Sequence, residues 1–203
     1  MPTFYSHPGQ ARFYAAETLL GLEHLHQMHI IYRDLKPEDV LVCADGHIKL
    51  CDFGLAAVGL TASPTHASST GKAVLVGTTE YMAPEVLRRV TCGQAVDIWA
   101  LGVLLYEMVT GEAPWWHKEQ KELQRKIVNT KPKLPTWLSS TARGLLRGLL
   151  AKEAATRLGV QPDSKVHESD VEAIKTHAFF RNINWAVPPE LPNPSASLPE
   201  ATL

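Results

Sequence analysis

Cysteine is scarce in this sequence. Cys43, Cys51 and Cys92 are its only three, odd in number and widely spaced, with no CxxC pair. That excludes a disulfide framework and reads as free thiols in a reducing compartment. The cytoplasm is therefore the expected location, with the nucleus left open. Charge of one sign is also missing, since 20 basic residues face 21 acidic ones. Such balance gives no reason to expect nucleic acid or a membrane surface as the main partner. No long apolar run is present: the most apolar stretch, Ala95 to Thr110, is interrupted by Asp97 and Glu107. It is too short and too charged to span a membrane and suits a buried helix. The N-terminus has no basic segment followed by an apolar one, so no signal peptide is expected. The nine histidines show no metal-ligand spacing tied to cysteine, and His24, His26 and His29 read as a solvated helix face. There is no internal repeat.

What is present is 45% hydrophobic residues in a chain of 203, enough for one core. Pro8-Gly9 breaks the chain before a long helical pattern. Phe13, Ala16, Leu19, Leu20 and Leu25 then recur at spacings of three and four, giving one apolar face until about His29. Ile30-Ile31-Tyr32 reads as a short buried strand. Asp45-Gly46 sits between the β-prone runs Val40–Cys43 and His47–Cys51, which predicts a hairpin because glycine supplies the positive φ of the turn. Residues 54–77 are rich in Ser, Thr, Ala and Gly and read as an exposed, mobile loop. Pro84 suits a first helical position. Gln94 to Thr110 reads as a central helix, apolar nearly all round, closed by Gly111. Further helices are predicted near 118–128, 140–150 and 170–177. From Val187 the chain is proline-rich, with Pro188, Pro189, Pro192, Pro194 and Pro199, and is expected to be extended or disordered. The expected class is α+β, mainly α-helical, with one small β-hairpin at the edge of a helical lobe.

Three strings stand in order along this frame: Tyr32-Arg33-Asp34-Leu35-Lys36-Pro37-Glu38-Asp39, then Asp52-Phe53-Gly54, then Gly77-Thr78-Thr79-Glu80-Tyr81-Met82-Ala83-Pro84-Glu85. They match the catalytic loop, the metal-binding loop and the end of the activation segment of a protein kinase. Phosphoryl transfer needs donor, metal and acceptor hydroxyl held in line while developing charge is neutralised. Asp34 can accept or orient the substrate hydroxyl proton. Lys36 can reach the transferring phosphate as a point charge. Asp52 offers a carboxylate to Mg²⁺, which prefers oxygen ligands, and Phe53 is expected to pack inward and hold it.

With Ala11-Arg12-Phe13-Tyr14-Ala15-Ala16 and Phe179-Phe180-Arg181-Asn182-Ile183-Asn184-Trp185, the chain resembles the C-terminal, large lobe of an AGC-group serine/threonine protein kinase over about residues 10–185. Residues 1–9 are then an N-terminal remnant and 186–203 a tail. The resemblance implies ATP and Mg²⁺ as cofactors and protein substrates as partners. It assigns catalysis to Asp34, Lys36 and Thr78, metal binding to Asp39 and Asp52, and nucleotide contact to Leu41 and Cys51. Cys51 itself reads as a buried strand thiol without special reactivity. Arg33, Phe53, Asp97 and a Glu85–Arg157 pair take structural roles, with Asp97 holding the catalytic-loop backbone. Glu38 and Glu107 match positions that read a basic residue before the target; their reading as merely solvated acids stays open. Leu75, Thr79 and Met82 match the pocket for the residue after it, which implies an apolar preference there.

The chain also departs from the family. Asp39 occupies the place of an asparagine metal ligand, which adds negative charge near the triphosphate and implies reduced turnover. Val74 stands where the group carries its activating phosphothreonine, and Ala57 replaces a basic residue that helps bind that phosphate. Activation by phosphorylation at this position is therefore not expected, and Ser68, Ser69 and Thr70 lie out of register. No glycine-rich phosphate loop, strand lysine or partner glutamate precedes residue 10, so the small lobe is expected to be missing from this chain. A non-catalytic scaffold or pseudokinase is the alternative to an enzyme.

Overall fold

The computed structural model describes residues 8–63, 65–67, 73–90, 92–161 and 169–186. Ser68, Ser69, Thr70 and the proline-rich segment from Val187 lie outside the described residues. Among those described, the order is α1 (Pro8–Gln27), β1 (Ile30–Ile31), β2 (Val40–Val42), β3 (Ile48–Leu50), β4 (Ala57–Val58), β5 (Thr65–Ala67), β6 (Ala73–Leu75), α2 (Pro84–Leu87), α3 (Ala95–Thr110), α4 (Gln120–Asn129), α5 (Ser140–Leu149) and α6 (Glu172–Lys175). Single 3₁₀ turns cover Pro37–Asp39, Thr79–Tyr81, Ala154–Thr156 and Ala178–Phe180.

The core is built around α3. Its apolar residues circle the whole helix, so Ile98, Trp99, Leu101, Val103, Leu104 and Leu105 are all buried. Each fully buried leucine contributes roughly 2 kcal/mol. Helix α1 packs on one side of α3 and α5 on another. The α1 face is the one its spacing implies: Ala11, Ala15, Leu19 and Leu22 are sealed. Gly102 permits the close approach of α3 and α5, since a Cβ there would lie 2.8 Å from Leu149 Cβ. Helix α3 stops at Gly111, whose φ of 82° lets its N–H return to the Glu107 carbonyl at 2.8 Å. Helix α1 already includes Pro8, because a proline in the first turn withholds only an N–H that has no helical partner. Helix α6 is shorter than its predicted span.

The β structure exceeds the single expected hairpin. Strands β2 and β3 pair with Val40 opposite Leu50 and Val42 opposite Ile48, as the Asp45-Gly46 turn implies. In addition β1 pairs with β4, Ile30 opposite Val58, and β5 pairs with β6. Ala62 and Cys92 exchange backbone hydrogen bonds of 2.8 and 3.0 Å. The segment 54–77, expected as a mobile loop, is thus attached at several points. The β1–β4 and Ala62–Cys92 attachments form between residues distant in sequence, so local composition does not announce them.

The hairpin is clasped to α1 by Glu17. Its carboxylate accepts the Ile48 N–H at 2.8 Å and meets His47 Nδ1 at 2.5 Å. The hydrogen bond to Glu17 raises the His47 pKa above its ordinary value, with the charges of Glu17 and Asp45 adding to it against desolvation. Near the other end of the core, Arg157 forms a buried two-pronged pair with Glu85, at 2.8 and 3.0 Å. Its remaining donors go to the carbonyls of Ala95 and Ala151, and its guanidinium lies 5.1 Å from the centre of the Trp99 ring.

Two outcomes follow from these ties. Removal of one partner of the buried pair, as in Glu85→Ala, is expected to lower the unfolding free energy by about 3–5 kcal/mol in urea titration, because a sealed guanidinium loses its counter-charge. A loss below about 1 kcal/mol would show that the pair is dispensable. For His47, a raised folded pKa means stabilisation that is complete below about pH 6.5, its ordinary value, and is lost as pH rises through the folded value. The difference in thermal midpoint between the native protein and His47→Ala should therefore narrow with rising pH; a gap that widens contradicts the clasp.

Candidate active site

Asp97, in the first turn of α3, organises the loop that follows β1. Its Oδ2 accepts the Tyr32 N–H and its Oδ1 the Arg33 N–H, both at 2.8 Å. His26 Nε2 lies 2.8 Å from the same carboxylate, and His26 Nδ1 reaches Ser169 Oγ at 2.8 Å. Far from being a solvated face residue, His26 is 4% exposed. Burial is tolerable because both ring nitrogens have partners. His24 and His29 are exposed. Arg33 holds φ 70°, a left-handed conformation uncommon for a residue with a side chain. The two hydrogen bonds to Asp97 hold the backbone there.

That bend presents Asp34. Its Oδ1 accepts the Thr78 backbone N–H at 2.8 Å and the Thr78 hydroxyl at 2.9 Å, while Oδ2 meets the Lys36 ammonium. The approach of the two strings is close. Gly77 sits at φ 103°, and a Cβ there would lie 2.7 Å from the Arg33 carbonyl oxygen, so only glycine fits. Lys36 Nζ also lies 3.2 Å from Asp39 Oδ2. Asp39 is 5% exposed; burial raises its carboxyl pKa, partly offset by Lys36. Asp39 further fixes the strand beyond the hairpin, its carbonyl accepting the Cys51 N–H at 3.0 Å.

Asp52 is exposed and also left-handed, at φ 57°, with its Oδ1 accepting the Gly54 N–H at 3.1 Å. Asp tolerates this conformation better than most side chains. The Tyr32 phenol donates to the Cys51 carbonyl, and its pKa is driven up by burial first and then by Asp39, Cys51, Asp52 and Asp34. All three carboxylates thus act on one phenol from a shared neighbourhood. Among the described residues, no three acidic, histidine or cysteine side chains are grouped closely enough to hold a metal alone. Mg²⁺ at a phosphoryl-transfer site needs only one or two carboxylates, with phosphates and water completing its shell. Asp39 and Asp52 fit that demand, and Asp39 Oδ2 is a buried oxygen that accepts no hydrogen bond.

The remaining sequence-derived candidates fall in three places. Leu41 is exposed on the hairpin and Cys51 partly buried behind it. Phe53, expected to pack inward, is 49% exposed; it rests edge-on against Tyr32 at 5.4 Å. Its open face lines a groove of about 590 Å³ with Leu20, Leu25, Leu50 and Trp185, because the described elements cover only one side of the ring. Glu107 accepts the Tyr81 hydroxyl. Burial first, then Glu107, Glu38 and Glu80, raises the Tyr81 pKa, so those acids surround it. Thr79 accepts a hydrogen bond from Gln120 at 3.0 Å, and Leu75 is partly buried. Met82 is 7% exposed and packs into the core. Sequence reasoning read His26 as solvated, named Tyr32 and Gly77 only as members of the motif strings, and gave Gln94 no role beyond the start of a helix. Gln94 bonds the His26 carbonyl at 2.8 Å and the Ser169 N–H at 3.0 Å. The partners of His26 and Gln94 lie too far along the chain for any spacing pattern to reveal them.

Residues 3–180 match the protein kinase domain. The chain is 44% identical over 176 residues to a probable serine/threonine-protein kinase of Dictyostelium discoideum, covering 87% of this chain and 36% of that protein. It is 46% identical over 175 residues to the serine/threonine-protein kinase AtPK2/AtPK19 of Arabidopsis thaliana, covering 86% and 34%. Against the ribosomal protein S6 kinase alpha-3 of Homo sapiens the identity is 45% over 174 residues, covering 86% and 22%. The chain therefore spans about a third or less of the length of these relatives. With that extent of match, on a mostly helical kinase-like fold, this chain belongs to the protein kinase family, and the relatives it matches include serine/threonine kinases.

Proposed function

We propose that this chain is the large catalytic lobe of a larger enzyme that transfers the γ-phosphate of ATP to serine or threonine hydroxyls of proteins. The observation that carries the reading is the double grip on Asp34, with Thr78 on one oxygen and Lys36 on the other. A carboxylate held from two sides presents a fixed acceptor for a substrate hydroxyl proton, so the hydroxyl is oriented before transfer begins. The Lys36 ammonium beside it supplies positive charge for the transferred phosphoryl oxygens. Asp39 and Asp52 would hold Mg²⁺, which when bound neutralises charge on the phosphates. Thr78 joins the end of the activation segment to the catalytic loop, which is where an acceptor peptide must lie.

Glu38, Glu80 and Glu107 around Tyr81 support a preference for basic residues before the target. The partly buried Leu75 supports an apolar residue after it, though the burial of Met82 leaves that lining thinner than the sequence implies. Arg33 bears on regulation. Its Nε donates to the Leu55 carbonyl at 2.6 Å and an Nη to the Ser63 carbonyl at 3.0 Å. The guanidinium thus holds the activation segment through backbone oxygens, consistent with a segment that lacks the phosphothreonine and has Val74 in its place. One observation favours a non-catalytic scaffold: Asp39 in the asparagine position, paired with the lysine that should meet phosphate.

Phosphotransfer by the complete protein to a serine/threonine peptide library decides between them. Asp34→Asn is expected to reduce turnover by about 10²–10⁴-fold, the range for loss of a positioned general base, with basic residues enriched upstream of the accepted sites. Activity that survives Asp34→Asn undiminished, or an acidic upstream profile, contradicts the proposed roles. No thermal shift with Mg-ATP and no transfer would leave the scaffold reading.

A further inference from the structure

Asp39 Oδ2 is buried and accepts no hydrogen bond, yet its carboxylate lies 3.2 Å from the Lys36 ammonium. Lys36 is therefore the cation that compensates this sealed oxygen. It is also the cation shared with Asp34, whose Oδ1 is already occupied by two donors from Thr78. A neutral amide at position 39 would make no such demand. With a carboxylate there, any movement of Lys36 toward a phosphate strips a buried charge of its partner, a change that protein interiors disfavour.

We propose that Asp39 is a positioning residue that retains Lys36, and that Lys36 is released to a nucleotide phosphate only when a divalent cation replaces it beside Asp39. This deepens the catalytic reading and rests on it. Cation and nucleotide binding become coupled: each must tighten the other by the same factor, since linkage is reciprocal. The native protein then holds metal-free nucleotide poorly. Asparagine at position 39 loosens the coupling, because its amide leaves no orphaned charge when Lys36 moves.

The test measures equilibrium binding of ADP and ATP to the complete protein, with Mg²⁺ and with chelator, without reading turnover. Asp39→Asn is expected to tighten metal-free ATP binding by about tenfold, within the usual span of coupling energies. Its Mg²⁺ dependence should shrink by the same factor. In Lys36→Met background the substitution should lose that effect, which a merely structural role for Asp39 would not produce. Asp39→Ser, with thermal midpoints recorded for every variant, guards against a folding defect at one substitution. Metal-free affinity unchanged by Asp39→Asn, or an equal gain with and without Lys36, overturns the retention mechanism while leaving the kinase reading intact. Absence of nucleotide binding in the native protein under every condition overturns both.

Discussion

One buried carboxylate carries the architecture of the site. Asp97 sits in the first turn of a helix that is apolar nearly all round, where a charge is tolerable only if fully engaged. It is engaged by the backbone N–H groups of Tyr32 and Arg33 and by the His26 ring. The backbone of the loop that follows β1 is thus held on the deeply buried helix α3. Everything beyond it inherits that placement: the left-handed bend at Arg33, the presentation of Asp34, and the contact with Gly77 and Thr78. A carboxylate in this position works as a structural anchor because helix and loop share its two oxygens. Neither could shift without leaving a buried acceptor or donor unpaired.

The charged groups around the cleft divide by what each has left to offer. Asp97, Glu85 and Arg157 are saturated by hydrogen bonds inside the protein and serve to hold elements together. Asp34 is engaged on both oxygens, by fixed donors from Thr78 on one and by the Lys36 ammonium on the other. Asp39 and Asp52 have oxygen capacity remaining, one sealed and one open to solvent. This gradient runs from the core outward to the surface that carries Asp52. It is the ordering expected of a site whose supporting groups must not move and whose reacting groups must.

Much of this was legible in local sequence. The Asp45-Gly46 hairpin, the Pro84 helix start and the Gly111 helix end depend on conformations that only a few residue types adopt, so type and position together announce them. The apolar face of α1 and the all-round burial of α3 follow from spacing. Harder to read were β4, whose pairing with β1 joins two strands distant in sequence, and β5 and β6, which pair with each other in a segment of small polar residues. His26 looked like one of three surface histidines because its partner Asp97 stands 71 residues away. Phe53 looked like an interior residue because an aromatic in that string suggests packing, yet the elements described here leave one ring face open.

The sequence by itself determined which chemical groups exist and in what order: three aspartates, a lysine, a threonine and the glycine that lets two strings touch. It also determined the local turns and caps, whose energetics span only a few neighbouring residues. Tertiary structure alone decided which oxygen each donor reaches. That Lys36 lies between Asp34 and Asp39, that Thr78 occupies Asp34 Oδ1, and that Asp97 takes the loop backbone are outcomes of packing among α1, α3 and the activation segment. The Thr78 and Asp97 pairings are set by chain closure over long separations, whereas Lys36 reaches acids two and three residues away; the balance of burial against ion pairing is settled only once the surrounding core excludes water.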